Sequence, residues 1–334
     1  MMQALFYTGP NQMALQMTPP PSLESDEVVV GIEAVGICGS DMHAYHGHDP
    51  RRKPGLILGH EFAGKVLQSQ SKLWKVGQRV TGNPLIVCGS CKYCLQGRDN
   101  LCANRTMVGM TRPGAFAEQM SIPGTSLIAI PDSLLTTHAA LTEPAATAVH
   151  AVELALKSLV TPLSESRILV VGGGAIGILS ALLLVHKGAT NLTVAETNAL
   201  RLQTLRRHVR ADLVNPIEEA VEPASFDLVI DAVGSAKTRV MDLEAVAPGG
   251  VVMHIGLQDW ASEIDMRKLT LAEITLLGTY TYTMEDLRRT VQQLDRGDFG
   301  SLDWIDVRPL KEGAKAFEDL DQGKTASPKV LLCP

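Results

Sequence analysis

Apolar positions recur with two different periods along the chain, and the change falls just after Pro131. Before it, short runs broken by glycine and proline, such as "DEVVVGIEAVGI", "GKVL", "GQRVTGNPLIV" and "AFAEQMSI", predict strands and a largely β first domain. After it, "LTTHAALTEPAATAVHAVELALKSL" has the Ala and Leu spacing of a helix, ended near Pro162. Strand and helix patterns then alternate. Residues 167–171 form a β-branched run into glycines and a helix through Lys187, and residues 192–195 form a second strand. "FDLVIDAVG", "VVMHIGL" and "ITLLGTYTY" read as strands, Pro248-Gly249-Gly250 as a turn, and "SAKTRVMDLEAVA" and "MEDLRRTVQQLDRG" as helices, the latter closed by Gly297. This alternation predicts a doubly wound parallel sheet with helices on both faces. The tail, 303–334, ends in a strand-like run from Lys329 that has no place in that sheet and is expected to return to the first domain.

A length of 334 residues implies two domains. A net charge of −6 and a pI near 5.9 argue against nucleic acid or an acidic membrane as partner, since clustered Lys and Arg are needed there. The one basic run, Arg51-Arg52-Lys53, is too short to matter on that count. The start, MMQALFYTGPNQ, lacks a secretory pattern, and no apolar run reaches the ~18 residues that span a bilayer, so a cytoplasmic location is expected.

Two groups of residues offer metal ligands. Cys38, after an apolar run, and His60-Glu61 combine soft sulfur, borderline nitrogen and hard oxygen, a set suited to a catalytic Zn²⁺ with an exchangeable position. The spacing alone leaves a buried thiol and a packed ring as the rival reading. Cys88, Cys91, Cys94 and Cys102, in C-x2-C-x2-C-x7-C, predict a closed structural zinc, with iron–sulfur ligation as the lesser alternative. Residues 172–177 read G-x-G-x-x-G between strand and helix. Gly172, Gly174 and Gly177 would admit a pyrophosphate, and Glu196, about 20 residues on, would take ribose hydroxyls. The acid favours NAD over NADP, although Arg201, Arg206 and Arg207 are near. By itself, Glu143-Pro144 reads as a helix start.

In this order, Cys38-Gly39-Ser40-Asp41 with His43, Gly59-His60-Glu61, the four cysteines, Glu143-Pro144 and the glycine fingerprint resemble the zinc-dependent medium-chain alcohol dehydrogenases. Glu143-Pro144 is similar to the sorbitol, polyol and threonine dehydrogenase branch. The resemblance implies an α/β chain: a mostly-β GroES-like catalytic domain over 1–149 and 285–334, and a Rossmann NAD-binding domain over 150–284. It implies two zinc ions per chain, with Cys38, His60, Glu61 and Glu143 around the catalytic one. Asp41 would orient the ligand histidine, and Ser40 and His43 would form a proton relay. Ile176, Glu196, Arg201, Ile255, Gly256 and Leu257 match positions that contact the cofactor, whereas His46 and His48 match nothing and are left as loop residues. Polyol dehydrogenases carry a tyrosine and an arginine for substrate hydroxyls where this chain has Ala44 and Thr281. The function implied is NAD-linked, reversible oxidation of a secondary alcohol, such as a polyol, to a ketone, in a homodimer or homotetramer. The alternatives are a threonine or other amino-alcohol dehydrogenase, a simple secondary-alcohol dehydrogenase and, outside enzymes, an NAD-binding sensor or a zinc-ribbon interaction module.

Overall fold

The computed structural model describes all 334 residues. A seven-stranded sheet organises the first lobe around Glu27–Gly36, whose run of buried positions on both faces explains why its apolar residues do not alternate. This strand pairs antiparallel with Glu61–Ser69, Gln119–Pro123 and Lys329–Cys333. The tail thus adds to this sheet. Ile305–Pro309 lies parallel to Lys329–Cys333, and parallel neighbours need a crossover, which the helix Gly313–Asp321 supplies.

The second sheet has six parallel strands in the spatial order Asp212–Val214, Asn191–Ala195, Arg167–Val171, Phe226–Asp231, Val246–His254 and Thr275–Gly278. The chain winds outward in one direction from Arg167–Val171 and then in the other. Such a reversal opens a crevice at the carboxyl ends of the strands, where ligands bind. No helix is long and apolar enough to cross a membrane.

Three local expectations differ. "ITLLGTYTY" stays in the sheet only to Gly278, because Thr281, at φ +46°, breaks the extended path and Tyr282 turns into the core. Pro248-Gly249-Gly250 lies inside the strand Val246–His254, where Gly249 at φ +75° accompanies a register shift. The Ala-rich stretch divides into Thr136–Ala139 and Thr142–Ser158.

Helix Thr142–Ser158 fastens the lobes together. Its small residues Ala145, Ala146, Ala148, Ala151 and Ala155 are buried, in a core that runs from Ala34 and Ala63 to Val170, Leu228 and Leu331. Small side chains let neighbouring helices approach closely, so a larger residue there would overpack the core at a cost of ~1–3 kcal/mol. Helix Met284–Arg296 packs beside it. Thr283 and Asp286 cap its start reciprocally, and Gly297, left-handed at φ +79°, ends it.

Burial would raise the Asp286 pKa, but bonds from His150 and Thr283 outweigh it and hold the carboxyl at about 2. That lies below the ~3.9 of an unfolded aspartate, so its stabilisation is full above about pH 4 and is lost as pH falls towards 2. Asp286→Asn is expected to cost on the order of 2 kcal/mol at pH 7. In urea denaturation the gap to wild type should narrow at about pH 3; a gap independent of pH would refute the assignment.

Candidate metal and nucleotide centre

The end of strand Glu27–Gly36 and the start of Glu61–Ser69 lie opposite each other, with Gly36 facing Glu61. Any Cβ at Gly36 would stand 1.9 Å from Glu61 Oε2, so a larger residue there would displace the Glu61 carboxylate. Gly59, at φ +91° and pressed on Phe116, makes the turn that delivers His60. Cys38 sits in extended conformation just before helix Gly39–Tyr45, its N–H donating to Asp41 Oδ2 at 3.0 Å. The ligand atoms of Cys38, His60 and Glu61 all lie within 4.8 Å of one another.

His60 and Asp41 are buried, and His60 Nδ1 and Asp41 Oδ1, 3.5 Å apart, have no other partner. A carboxylate at Nδ1 keeps the proton there and turns Nε2 to a metal. Burial disfavours a charged His60 ring, but Asp41 and Cys38 outweigh it and raise the pKa well above 6.5. Burial likewise raises Asp41, and His60 with Arg52 overcomes it and lowers the carboxyl below its usual range. The cluster therefore favours a cation between the thiol and the ring, and a zinc ion fits the donors present.

Glu61 is fully buried, and both its oxygens accept from Lys329 Nζ, at 2.7 and 2.6 Å; the same ammonium donates to Ile37 O at 2.9 Å. Burial disfavours the Lys329 charge, yet Glu61 and Cys38 raise its pKa. Glu143, in the first turn of Thr142–Ser158, accepts from Tyr282 Oη at 2.8 Å. Burial, opposed by His60 and assisted by Glu61, pushes the Glu143 carboxyl up to about 7. Glu143 stands outside the group of three whose ligand atoms converge.

Ser40 Oγ is 3.4 Å from His60 Nε2 and accepts from Arg52 Nη2 at 3.2 Å. Arg52, buried, also donates to Ser40 O and to Gly109 O. Ser40 makes no direct bond to His43. Burial, then the nearby His48, His46 and Arg52, lower the His43 pKa. His46 pairs with Asp321 at 2.6 Å, tying the loop to helix Gly313–Asp321.

Cys88, Cys91, Cys94 and Cys102 converge around one point. The Cys91–Cys94 and Cys88–Cys102 sulfur distances are 3.5 Å, and Cys88–Cys94 is 4.0 Å. A tetrahedron with Zn–S near 2.3 Å has edges of about 3.8 Å, so the set fits that ion. Amides of Ser90 and Cys91 bring the Cys88 thiol down to about 6, while burial and Cys91 push Cys94 up to about 12. Four thiols this close do not all ionise without a cation.

In the second sheet, Gly172 turns at φ +95°, and a Cβ on Gly177 would lie 1.7 Å from Gly172 O, so strand and helix meet only through glycine. Gly174 begins helix Ala175–His186 with no side-chain cap and open space beside it, which leaves the first amides for a phosphate and fits a dinucleotide. Glu196 Oε2 accepts from Gly173 N at 2.8 Å, and Oε1 from Thr197 N and Asn198 N, so the acid braces the glycine turn. Arg201 stands 3.8 Å from Glu196, and Ile176 is partly exposed at the turn. The amides of Ile255 and Gly256 donate to Asp231 O, and Leu257 is exposed beyond them.

Sequence reasoning missed Lys329, Tyr282 and Arg52. Lys329 is 268 residues from Glu61 and Tyr282 is 139 from Glu143, so no local spacing links them. Only the complete burial of a basic residue marks Arg52, and a sequence does not display burial.

Residues 24–132 match the alcohol dehydrogenase GroES-like domain, and residues 136–326 match the glucose dehydrogenase C-terminus. An L-threonine 3-dehydrogenase of Chelativorans sp. (strain BNC1) is 32% identical over 97% of this chain and 98% of its own length. A Sinorhizobium meliloti 1021 structure bound to NADP has 29% identity and a TM-score of 0.86, covering 100% of this chain and 99% of the other. The L-idonate 5-dehydrogenase of Escherichia coli has 26% identity and a TM-score of 0.88, covering 100% and 98%. With thiol, imidazole and carboxyl groups converging in a GroES-like lobe beside a glycine-fingerprint sheet, the chain belongs to the zinc-dependent medium-chain alcohol dehydrogenase family.

Proposed function

We propose that this chain, a zinc-dependent oxidoreductase acting on alcohols by its family, oxidises a secondary alcohol reversibly to a ketone with NAD⁺. Residues 1–149 and 285–334 form the catalytic domain in this reading, and 150–284 the nucleotide domain. One zinc is assigned to Cys38 and His60 with Glu61 and Glu143 as carboxylate ligands or neighbours, and a second to the four cysteines. The observation that carries the reading is the convergence of Cys38, His60 and Glu61 while Tyr282, just past the last strand of the nucleotide sheet, reaches Glu143.

A zinc ion held by Cys38 and His60 would supply Lewis acidity to the alcohol oxygen, and a nicotinamide bound at the glycine turn would supply the hydride acceptor. Asp41 keeps the His60 proton on Nδ1. Ser40, held by Arg52, is placed to receive the alcohol proton, and His43, whose lowered pKa keeps the ring neutral near pH 7, is the group that would accept it onward. The threonine dehydrogenase relative favours an amino alcohol as a second reading. A panel of polyols, amino alcohols and simple secondary alcohols, followed by absorbance of the reduced cofactor, separates them. No turnover of any with either cofactor would reject the function.

Glu196 supports NAD, because a carboxylate opposes a 2′-phosphate. The expected kcat/KM is about 10- to 100-fold higher with NAD than with NADP. Equal or better use of NADP would move the role to Arg201 or Arg206.

A cytoplasmic homodimer or homotetramer completes the reading. The edge strand Thr275–Gly278 leaves Leu276 exposed, with Leu257, Trp260, Met266 and Leu271 also exposed nearby in the chain, and such an edge calls for cover.

A further inference from the structure

Between strand Thr275–Gly278 and helix Met284–Arg296 the chain passes the four-cysteine lobe and is gripped by it at both ends. Asn100 Nδ2 donates to Tyr280 O at 2.8 Å, and Met284 N donates to Asp99 Oδ2 at 3.2 Å. The Arg105 guanidinium lies over the Tyr280 ring at 4.7 Å, its Nε donating to Tyr280 Oη, while its Nη1 donates to Cys102 O at 2.7 Å. Asp99 and Asn100 belong to the turn that leads directly into Cys102.

Between the two grips stand Thr281 and Tyr282. Thr281 is a β-branched residue in the left-handed region, at φ +46°, a conformation that persists only where flanking structure imposes it. Tyr282 is fully buried, and its hydroxyl donates to Glu143. A line of contacts therefore runs from the Cys102 turn through residues 280–284 to the carboxylate beside the first metal cluster.

We infer that the four-cysteine lobe is a clasp for residues 280–284, and that Tyr282 is a positioning residue which holds the Glu143 carboxylate in place beside the Cys38–His60 cluster. The inference rests on the proposed metal role of the Cys38 cluster. A closed thiolate site does no chemistry of its own, but its rigidity is transmitted here by three side chains to a segment that could not otherwise keep its strained turn. Removal of a partner that orients a metal-binding group costs ~10- to 100-fold in metal affinity.

The test uses the full chain loaded with cobalt(II), whose visible absorption distinguishes an all-thiolate site from a mixed one. Tyr282→Phe keeps the ring and removes only the hydroxyl. Metal loss from the mixed site to a chelator is expected to quicken ~10- to 100-fold, with the all-thiolate bands unchanged. Asn100→Ala should act in the same direction, and should add little in the Tyr282→Phe background because both act through one path. Unchanged cobalt loss in Tyr282→Phe, or fully additive effects, would overturn the clasp while leaving wild-type turnover and metal content intact. A wild-type chain that takes up no cobalt at the mixed site would overturn the clasp and the proposed function together.

Discussion

Cys38→Ser is expected to abolish most turnover and to lower bound zinc from two equivalents to one. Cys38 supplies the sulfur of the mixed cluster, beside the buried His60 and Glu61. A serine hydroxyl is a hard, neutral ligand at pH 7, so the exchange removes both the charge and the softness that favour zinc. Lewis-acid polarisation of the alcohol is worth several kcal/mol, and each 1.4 kcal/mol is tenfold, so kcat should fall by ~10³ or more. Elemental analysis with steady-state kinetics makes the measurement. The four-cysteine site should keep its metal, since it is a separate group of ligands. Two equivalents retained with unchanged kcat would remove Cys38 from the metal site.

Lys329→Met should cost a large part of the chain's stability. Lys329 and Glu61 are both almost fully buried, and the ammonium contacts both Glu61 oxygens and the Ile37 carbonyl. An intact buried pair is only weakly stabilising, because desolvation offsets much of the attraction; removing one partner strands the other charge, at a cost of ~3–5 kcal/mol. Lys329→Met combined with Glu61→Gln should cost much less than the sum of the two single changes, because the second removes the stranded charge. Additive losses in urea denaturation would show that the two groups do not interact. The Lys329 pKa is raised in the fold, so its stabilisation is fully present below the ordinary lysine range and is lost only as pH rises beyond it.

The same pair shows why the first cluster was only partly legible. Cys38, His60 and Glu61 carry their chemistry in residue type, and the antiparallel pairing of Glu27–Gly36 with Glu61–Ser69, together with the turn at Gly59, brings them together. Nothing in the spacing says that both Glu61 oxygens meet an ammonium. The tail was legible as strand-like at Lys329–Cys333, but the identity of its first residue as the partner of Glu61 depends on which sheet the strand enters. In the nucleotide lobe, Glu196 could be read as a ribose acid, but not as the brace of Gly173.

What the sequence determined by itself is what local order determines: strands and helices from their periods, a convergence of four cysteines within fifteen residues, and a glycine turn between strand and helix. The tertiary structure alone decided which distant groups share a buried space. Arg52 on Ser40, Tyr282 on Glu143 and Lys329 on Glu61 are pairings imposed because a polar group removed from water must find a partner wherever the packed sheets place one. Periodicity reports which face of an element turns inward, and carries no record of what waits on the other side.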